Sequence, residues 1–298
     1  MDSRTTLRMP SAFLGRVLIV GASGQLGNAL ARVFADCEPL TPSHSALDIE
    51  DFPALADAIE RLRPALVLNA AAFHNVPLCE KHPDRAFAVN ALAIDHLASL
   101  CARNGAFFAH VSTDYVFDGA KRAPYVEVDA AAPVNVYGVS KLAGEHLIAR
   151  HGGRFLIVRT SGLYAFGDPS SLKGAPFIEK VLLQAERGEP LRIVDDLTFS
   201  PSYAPHVARA MRRLIEVGAS GVVHVSDAGE VTWRDFAAFA LEEAGMGASI
   251  EPIAATDVPV RRPRYSALSS AHAMRLGAEE MPDWRAGVRA YAALRSAR

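Results

Sequence analysis

The sequence is poor in cysteine and tryptophan and contains no long apolar run. Its three cysteines, Cys37, Cys79 and Cys101, stand far apart with no CxxC pair. So sparse and odd a set excludes a disulfide framework and points to reduced thiols in a cytoplasmic protein. The ten histidines are scattered without an HxxxH or HExxH pair, so no metal ligand is assigned. The longest apolar runs, such as "RVLIV" and "PALVLNA", fall far short of the ~20 residues that span a bilayer. Charge of one sign is lacking too. The formal net charge is −2 with both signs interspersed, so neither a nucleic acid nor an anionic membrane is an expected partner. The opening "MDSRTTLRMPSAFLG" has no signal-peptide core or cleavage site and reads as a flexible leader over residues 1–15. There is no internal repeat.

What the chain does have is length and apolar content. Its 298 residues are 50% hydrophobic, enough for a large α/β domain with an added lobe. From residue 16, short aliphatic runs alternate with amphipathic segments of helical length. "RVLIV", "ALVLN", "AFFAHVS" and "RFLIVRT" read as strands. "GQLGNALARVF", "VYGVSKLAGEHLIAR" and the long "PDRAFAVNALAIDHLASLCARNG" read as helices. A further strand is expected in "CEPLTPSHS", which makes the strand before Ser112 the fourth. Strands apolar on both faces and separated by helices imply a doubly wound parallel sheet over residues 16–160. After Thr160 the texture becomes rich in Gly, Ser and Pro. Residues 161–298 are expected to form a smaller α/β lobe, with some elements rejoining the first domain. Within it, "LRIV" reads as a strand and "FSPSYAP" as a turn.

In such sheets ligands lie beyond the carboxyl ends of the strands. The first such end carries Gly21, Ser23, Gly24 and Gly27 in "GASGQLG". Glycines there let the backbone approach a pyrophosphate, and the helix that follows offers free N–H groups. A plain tight turn is the alternative. At the end of the second strand, where an NAD-preferring fold has a carboxylate, stand Thr41, Ser43 and His44. That favours NADPH over NADH, although no arginine is present for a 2′-phosphate. Asp48 reads either as an acceptor for an adenine amino group or as a helix N-cap.

Tyr137 and Lys141 are one helical turn apart in "YGVSK". A tyrosine (pKa ~10) exchanges protons poorly at neutral pH unless a nearby ammonium lowers that pKa. Such a pair can then trade a proton with an alcohol or ketone. Thr113, after "AFFAHVS", is in place to orient the carbonyl oxygen. Each part alone is weak, since Tyr and Lys four apart usually mark a solvated helix face and Ser-Thr-Asp a strand end. The weight lies in their order behind the glycine turn.

With "GASGQLG", "LDIED", "VLNAAAF", "AFAVNALA", "STDYVFDG", "PVNVYGVSKLAGE", "RTSGLYAFG" and "RRPRYSAL", the chain resembles the extended short-chain dehydrogenase/reductase family from about residue 16 to 270. The resemblance implies a Rossmann-type dinucleotide-binding domain and a C-terminal substrate lobe. It implies reduction of the C4 ketone of a dTDP-linked 6-deoxy-4-keto-hexose, giving dTDP-L-rhamnose or a related sugar. By the same resemblance, Gly24, Gln25 and Leu26 would meet the pyrophosphate, Asp48 and Ile49 the adenine, and Ala71, Ala72 and Phe73 the nicotinamide-side ribose. Tyr137 and Lys141 would hold the nicotinamide ribose, with Tyr137 as the acid. Thr113 would hold the sugar carbonyl, with Asp114 beside it. Mg2+ enters by resemblance alone, and a homodimer is compatible with the chain. Arg262 and Arg264 read as a diphosphate clamp or a solvated basic loop, and Asn135 as a sugar contact or a helix cap. Trp233 and Trp284 read as packing residues, and Asp195–Asp196 as a turn.

Three positions depart from the family pattern. Gly162 stands in "RTSGLY" where "RTSWVY" is typical, Pro77 replaces an aspartate and His74 a threonine. All three are expected in loops that read the substrate. An epimerase on the same scaffold therefore remains an alternative. So does a non-catalytic cofactor-binding subunit, like the regulatory subunit of methionine adenosyltransferase. A 4,6-dehydratase would want Asp-Glu after the threonine, and here Asp114 and Tyr115 follow it.

Overall fold

The computed structural model describes residues 17–167 and 175–297, and the expected leader lies outside them. The first half runs β1 (Val17–Val20), α1 (Gln25–Val33), α2 (Phe52–Leu62), β2 (Leu66–Asn69), α3 (Val76–Lys81), α4 (Pro83–Phe87), α5 (Ala93–Arg103), β3 (Phe107–Thr113), α6 (Val136–Ala149) and β4 (Phe155–Thr160). The second runs β5 (Leu163–Tyr164), α7 (Phe177–Glu186), β6 (Leu191–Val194), β7 (Thr198–Phe199), β8 (Ser202–Tyr203), α8 (Ala204–Glu216), β9 (Gly221–His224), β10 (Val231–Thr232), α9 (Trp233–Glu243), β11 (Ile250–Ile253), α10 (Ala271–Leu276) and α11 (Trp284–Ser296).

The main sheet is parallel, in the order β1-β2-β3-β4-β9. Alternate residues of each strand feed opposite faces. Val17 and Ile19 join the core under α1 and α8, while Leu18 and Val20 join the core under α2 and α5. This is the period-2 pattern of a sheet buried on both sides. The strand expected in "CEPLTPSHS" shrinks to one residue. Leu40 accepts a hydrogen bond from Ile19 N–H (2.9 Å) and donates one to Val17 O (2.8 Å). Pro39 and Pro42 flank it and lack the N–H groups a ladder needs. Thr113 therefore ends the third full strand, not the fourth. From β1 the chain goes out to Leu40 on one flank and returns to β2 on the other. The topological switch thus lies at the carboxyl ends of β1 and β2.

The long helix expected up to Gly105 is divided. Between α4 and α5, residues 88–92 form a wider π-helical turn, and Gly105 ends the run at a φ of +69°. "FSPSYAP" holds more than a turn, because its short strands β7 and β8 find distant partners in β10 and β5. In the second half β6 pairs with β11, while β9 lies beside β4 at the edge of the main sheet. Trp284 is a buried packing residue, as expected. Trp233 stacks on Phe199 with ring centroids 4.0 Å apart.

The glycines of the first turn are not equivalent. A Cβ on Gly27 would sit 2.1 Å from Gly21 O and 2.7 Å from Ala22 Cα, both backbone atoms, whereas one on Gly24 would approach nothing closer than 3.3 Å. Gly27→Ala should therefore destabilise the protein by ~1–3 kcal/mol through forced backbone displacement, and Gly24→Ala by much less. Urea unfolding of both variants measures this, and equal losses would contradict it.

Candidate active site

At the switch point the backbones of two strand ends nearly touch. Gly21 has a φ of +79°, and a Cβ there would lie 2.6 Å from Ala71 N. The turn leads into α1, whose cap residue Gly24 has no side chain to satisfy the first helical N–H groups. These remain available to an anion. Ser23 is exposed beside them. Gln25 and Leu26 differ from expectation in what they can offer. The Gln25 side chain accepts a hydrogen bond from Ala165 N–H (2.8 Å), and the Leu26 side chain is buried in the core. Both offer backbone N–H groups to a ligand there.

Asp48 is not the helix cap. Asp51 is, accepting from Ala54 N–H (3.1 Å). Asp48 accepts from Glu50 N–H (3.0 Å) and lies 3.5 Å from His44 Nε2, while Ile49 is buried. Thr41, Ser43 and His44 are exposed on the stretch after Leu40. Ala71, Ala72 and Phe73 follow β2, half-buried. A residue not singled out in the sequence fixes them. Asn90, buried in the π-helical turn, accepts from Phe73 N–H and donates to Phe73 O, both at 2.9 Å. It also donates to Ser140 Oγ on α6. An asparagine inside the apolar run "AFAVNALA" was the available signal.

Helix α6 is started by two side chains. Asn135 caps it, accepting from Gly138 N–H (2.8 Å), and donates to Arg261 O. Of its two readings the helix cap is the one the geometry displays, with one N–H and one oxygen lone pair of the amide still uncommitted. Glu80, also not foreseen, accepts from Val136 N–H (2.7 Å). Tyr137 and Lys141 follow, a turn apart. Thr113 reaches the Tyr137 phenol, donates to Asp114 Oδ1 (3.0 Å) and accepts from Tyr115 N–H (3.1 Å). Lys141 is fully buried. Its Nζ donates to Val111 O (2.7 Å) and lies 2.9 Å from His110 Nε2. Burial lowers its pKa to about 7, partly opposed by Glu145. Burial raises that of Tyr137, with the Thr113 hydrogen bond opposing it. Burial of both side chains thus opposes the expected ammonium–phenolate pair.

Around this trio lies a second polar group. Asp114 is buried, accepts from Ser161 Oγ (2.9 Å) and is hydrogen-bonded by Ser266. Burial raises its pKa to about 6 against those hydrogen bonds. Burial raises the pKa of Tyr115, with the charge of Arg262 opposing it, and the buried Nε of Arg262 has no partner. Arg264 is exposed and lies 3.6 Å from Asp196, so the two arginines do not form one clamp. Asp195 and Asp196 sit in the turn after β6, as expected. Beneath the site, Arg159 forks onto Glu145 at 2.6–3.2 Å, and Glu145 also accepts from Ser112.

The three departures separate in space. Gly162 has a φ of +50°, and a Cβ on it would fall 2.3 Å from Phe199 Cε2. The space a side chain would take is filled by Phe199, which is backed by Trp233. Pro77 lies in the first turn of α3, not in a loop, and His74 is exposed just before it.

The "RmlD substrate binding domain" family model matches residues 15–296. The dTDP-4-dehydrorhamnose reductase of Burkholderia thailandensis is 37% identical over 293 residues, covering 92% of this chain and 96% of that one. The spore coat polysaccharide biosynthesis protein SpsK of Bacillus subtilis is 35% identical over 285 residues, covering 94% and 98%. Among solved structures, dTDP-4-dehydrorhamnose reductase from Bacillus anthracis in complex with NADP superposes with a TM-score of 0.88 at 29% identity, covering 93% of this chain and 98% of that one.

The buried carboxyl of Asp114 makes a testable contribution. With a folded pKa near 6 against an ordinary 3.8, the native state holds a proton that the unfolded chain has released. Stability therefore falls as pH rises through that window, by at most ~3 kcal/mol. Asp114→Asn removes this term. Its melting temperature relative to the unsubstituted protein should rise between about pH 4 and about pH 7. A difference independent of pH would refute the assignment.

Proposed function

The chain belongs to the RmlD substrate-binding family of extended short-chain dehydrogenases/reductases, and from that premise we propose that it reduces the 4-keto group of a nucleotide-linked 6-deoxyhexose, as in dTDP-L-rhamnose formation. It is an NAD(P)-dependent oxidoreductase. The observation that carries this reading is the convergence of Thr113, Tyr137 and Lys141 at a strand end next to a glycine turn with uncapped helical N–H groups.

A nicotinamide dinucleotide fits the residues present. Gly21 brings two backbones together where a Cβ would collide, and the α1 N-terminus supplies donors for its pyrophosphate. When bound, the nicotinamide supplies hydride to C4. The rest falls to the chain. Thr113 orients the carbonyl oxygen, and Tyr137 Oη gives it the proton. Lys141 holds the ribose side and the charge balance of Tyr137. Arg262 Nε, a buried donor without an acceptor, suits the diphosphate of the substrate. NADPH is favoured over NADH, because Thr41, Ser43 and His44, rather than a carboxylate, stand directly after Leu40 in the chain. Asp48 and Ile49 remain the adenine-side pair. Among the described residues no group of three or more His, Cys, Asp or Glu side chains could hold a metal, and Mg2+ is given no role. No helix among them is long and apolar enough to cross a membrane.

The alternatives are not favoured. An intact Thr113–Tyr137–Lys141 set is of no use to a purely regulatory subunit, and the relatives named above are reductases or polysaccharide biosynthesis proteins.

The test is oxidation of NADPH and NADH with a panel of 4-keto nucleotide sugars. Turnover is expected, fastest with a dTDP-linked 6-deoxy-4-keto-hexose. Tyr137→Phe should lower kcat by ~10²–10⁴-fold while leaving cofactor affinity within a few-fold. Tight cofactor binding without turnover on any sugar would refute the reductase reading. Full turnover by Tyr137→Phe would refute the role of that residue.

A further inference from the structure

Directly below Lys141 is a buried hydrogen-bond chain that the catalytic scheme does not use. His110 on β3 is fully buried and stands opposite Asn69 on β2 in the sheet register. Its Nδ1 is 2.9 Å from Asn69 Nδ2, and its Nε2 is 2.9 Å from Lys141 Nζ. Asn69 Oδ1 accepts from Ala71 N–H at 3.2 Å. Ala71 belongs to the stretch that meets Gly21 at the switch point.

The donors and acceptors in this chain constrain each other. A neutral imidazole has one N–H and one acceptor nitrogen. The Asn69 oxygen is committed to Ala71, so its amide nitrogen faces the ring and donates. The tautomer assigned from that orientation has Nδ1 as acceptor and the proton on Nε2. That N–H points at Lys141 Nζ. An ammonium has no lone pair to receive it, whereas a neutral amine does and still donates to Val111 O. If Lys141 is charged, Nε2 must accept and Nδ1 must carry the proton. Asn69 must then turn its oxygen to the ring, and Ala71 N–H loses its acceptor.

We propose that His110, held by Asn69, is a positioning residue that ties the charge of Lys141 to the hydrogen bonding of the Ala71 loop. One state has a neutral lysine and a bonded Ala71; the other has an ammonium and a released Ala71 N–H. A ligand that prefers either state of the loop shifts the lysine, and by linkage the lysine's charge shifts the affinity for that ligand by the same factor. The depressed pKa values of both Lys141 and His110, caused by burial, agree with the neutral state. Tyr137 and Glu145 share α6 with Lys141, one turn before and one turn after it, and Arg159 on β4 pairs with Glu145. Glu145 is the one that favours the ammonium, and Arg159 already engages it. Only the turnover measurement below rests on the proposed reductase function.

The chain has five lysines, so protein labelled with ¹³C at lysine Cε gives few signals. Lys141 is assigned by its loss in Lys141→Arg. In the unsubstituted protein Lys141 should titrate near neutral pH, and NADPH should move that titration. Asn69→Asp places a carboxylate that accepts from both Ala71 N–H and Nδ1–H. It reverses the ring and should raise the Lys141 titration by about one pH unit or more, a tenfold change in proton affinity. NADPH should then move it less. His110→Gln adds no charge and offers an amide oxygen to Nζ, so it should also raise the titration. The pH midpoint of kcat should follow in the same direction. An NADPH-insensitive Lys141 in the unsubstituted protein would overturn the proposal without need of any variant. So would a shift in Asn69→Asp with none in folded His110→Gln, which would reduce the effect to the added charge. Movement of Lys141 as described, without turnover on any sugar, would sustain this inference and fail the reductase reading instead.

Discussion

Helix α6 can lie where it does only because two glycines remove side chains from its inner face. A Cβ on Gly138 would fall 2.1 Å from Tyr115 O, and one on Gly144 2.3 Å from Asn90 O. Backbone meets backbone at both places. That close seating carries Tyr137 to the hydroxyl of Thr113 and lowers Lys141 onto β3. It also brings Ser140 to Asn90, which in turn holds the loop after β2. Two strand ends, a π-helical turn and α6 are thereby fixed by two backbone contacts on one helix face. A π-helical turn at this place follows from the same need, since it turns a buried asparagine toward Phe73 without ending the helix.

Close seating also excludes water, and the charge distribution follows from that. Lys141, His110, Asp114, Glu145 and Arg159 are all buried. In such surroundings a charge persists only when paired or hydrogen-bonded. Arg159 Nε and Nη2 fork onto the Glu145 carboxylate. Lys141 and Asp114 have no comparable partner, and their pKa values move toward neutrality from opposite sides. The site thus holds two groups poised near physiological pH.

Much of this was legible in the sequence. The strand–helix alternation, the glycine turn and the order of Thr113, Tyr137 and Lys141 follow from local pattern and spacing, and local chemistry decides where such elements fall. What escaped depends on contacts distant in sequence. Asn90, His110 and Ser266 act across 17, 31 and more residues, and each looks like an ordinary polar residue in its own segment. The strand expected in "CEPLTPSHS" is cut to Leu40 by the two prolines that flank it. Spacing in the sequence shows the attraction between a lysine and a tyrosine one turn apart but not their burial, and desolvation dominates both groups. The cap at Asn135 and the buried side chain of Leu26 show a further limit, because a motif names a position without saying which of its atoms faces a ligand.

Gly162 and Phe199 illustrate what such a contact means for change over time. Neither residue can be exchanged independently. A side chain at position 162 meets the phenyl ring at 2.3 Å, and a smaller residue at 199 leaves Trp233 without its stacking partner. The two positions, 37 residues apart in the chain, behave as one heritable character. A chimera that grafts the loop after β4 from a relative bearing tryptophan there must bring the β7 segment with it. Otherwise the graft collides with a ring that was already in place.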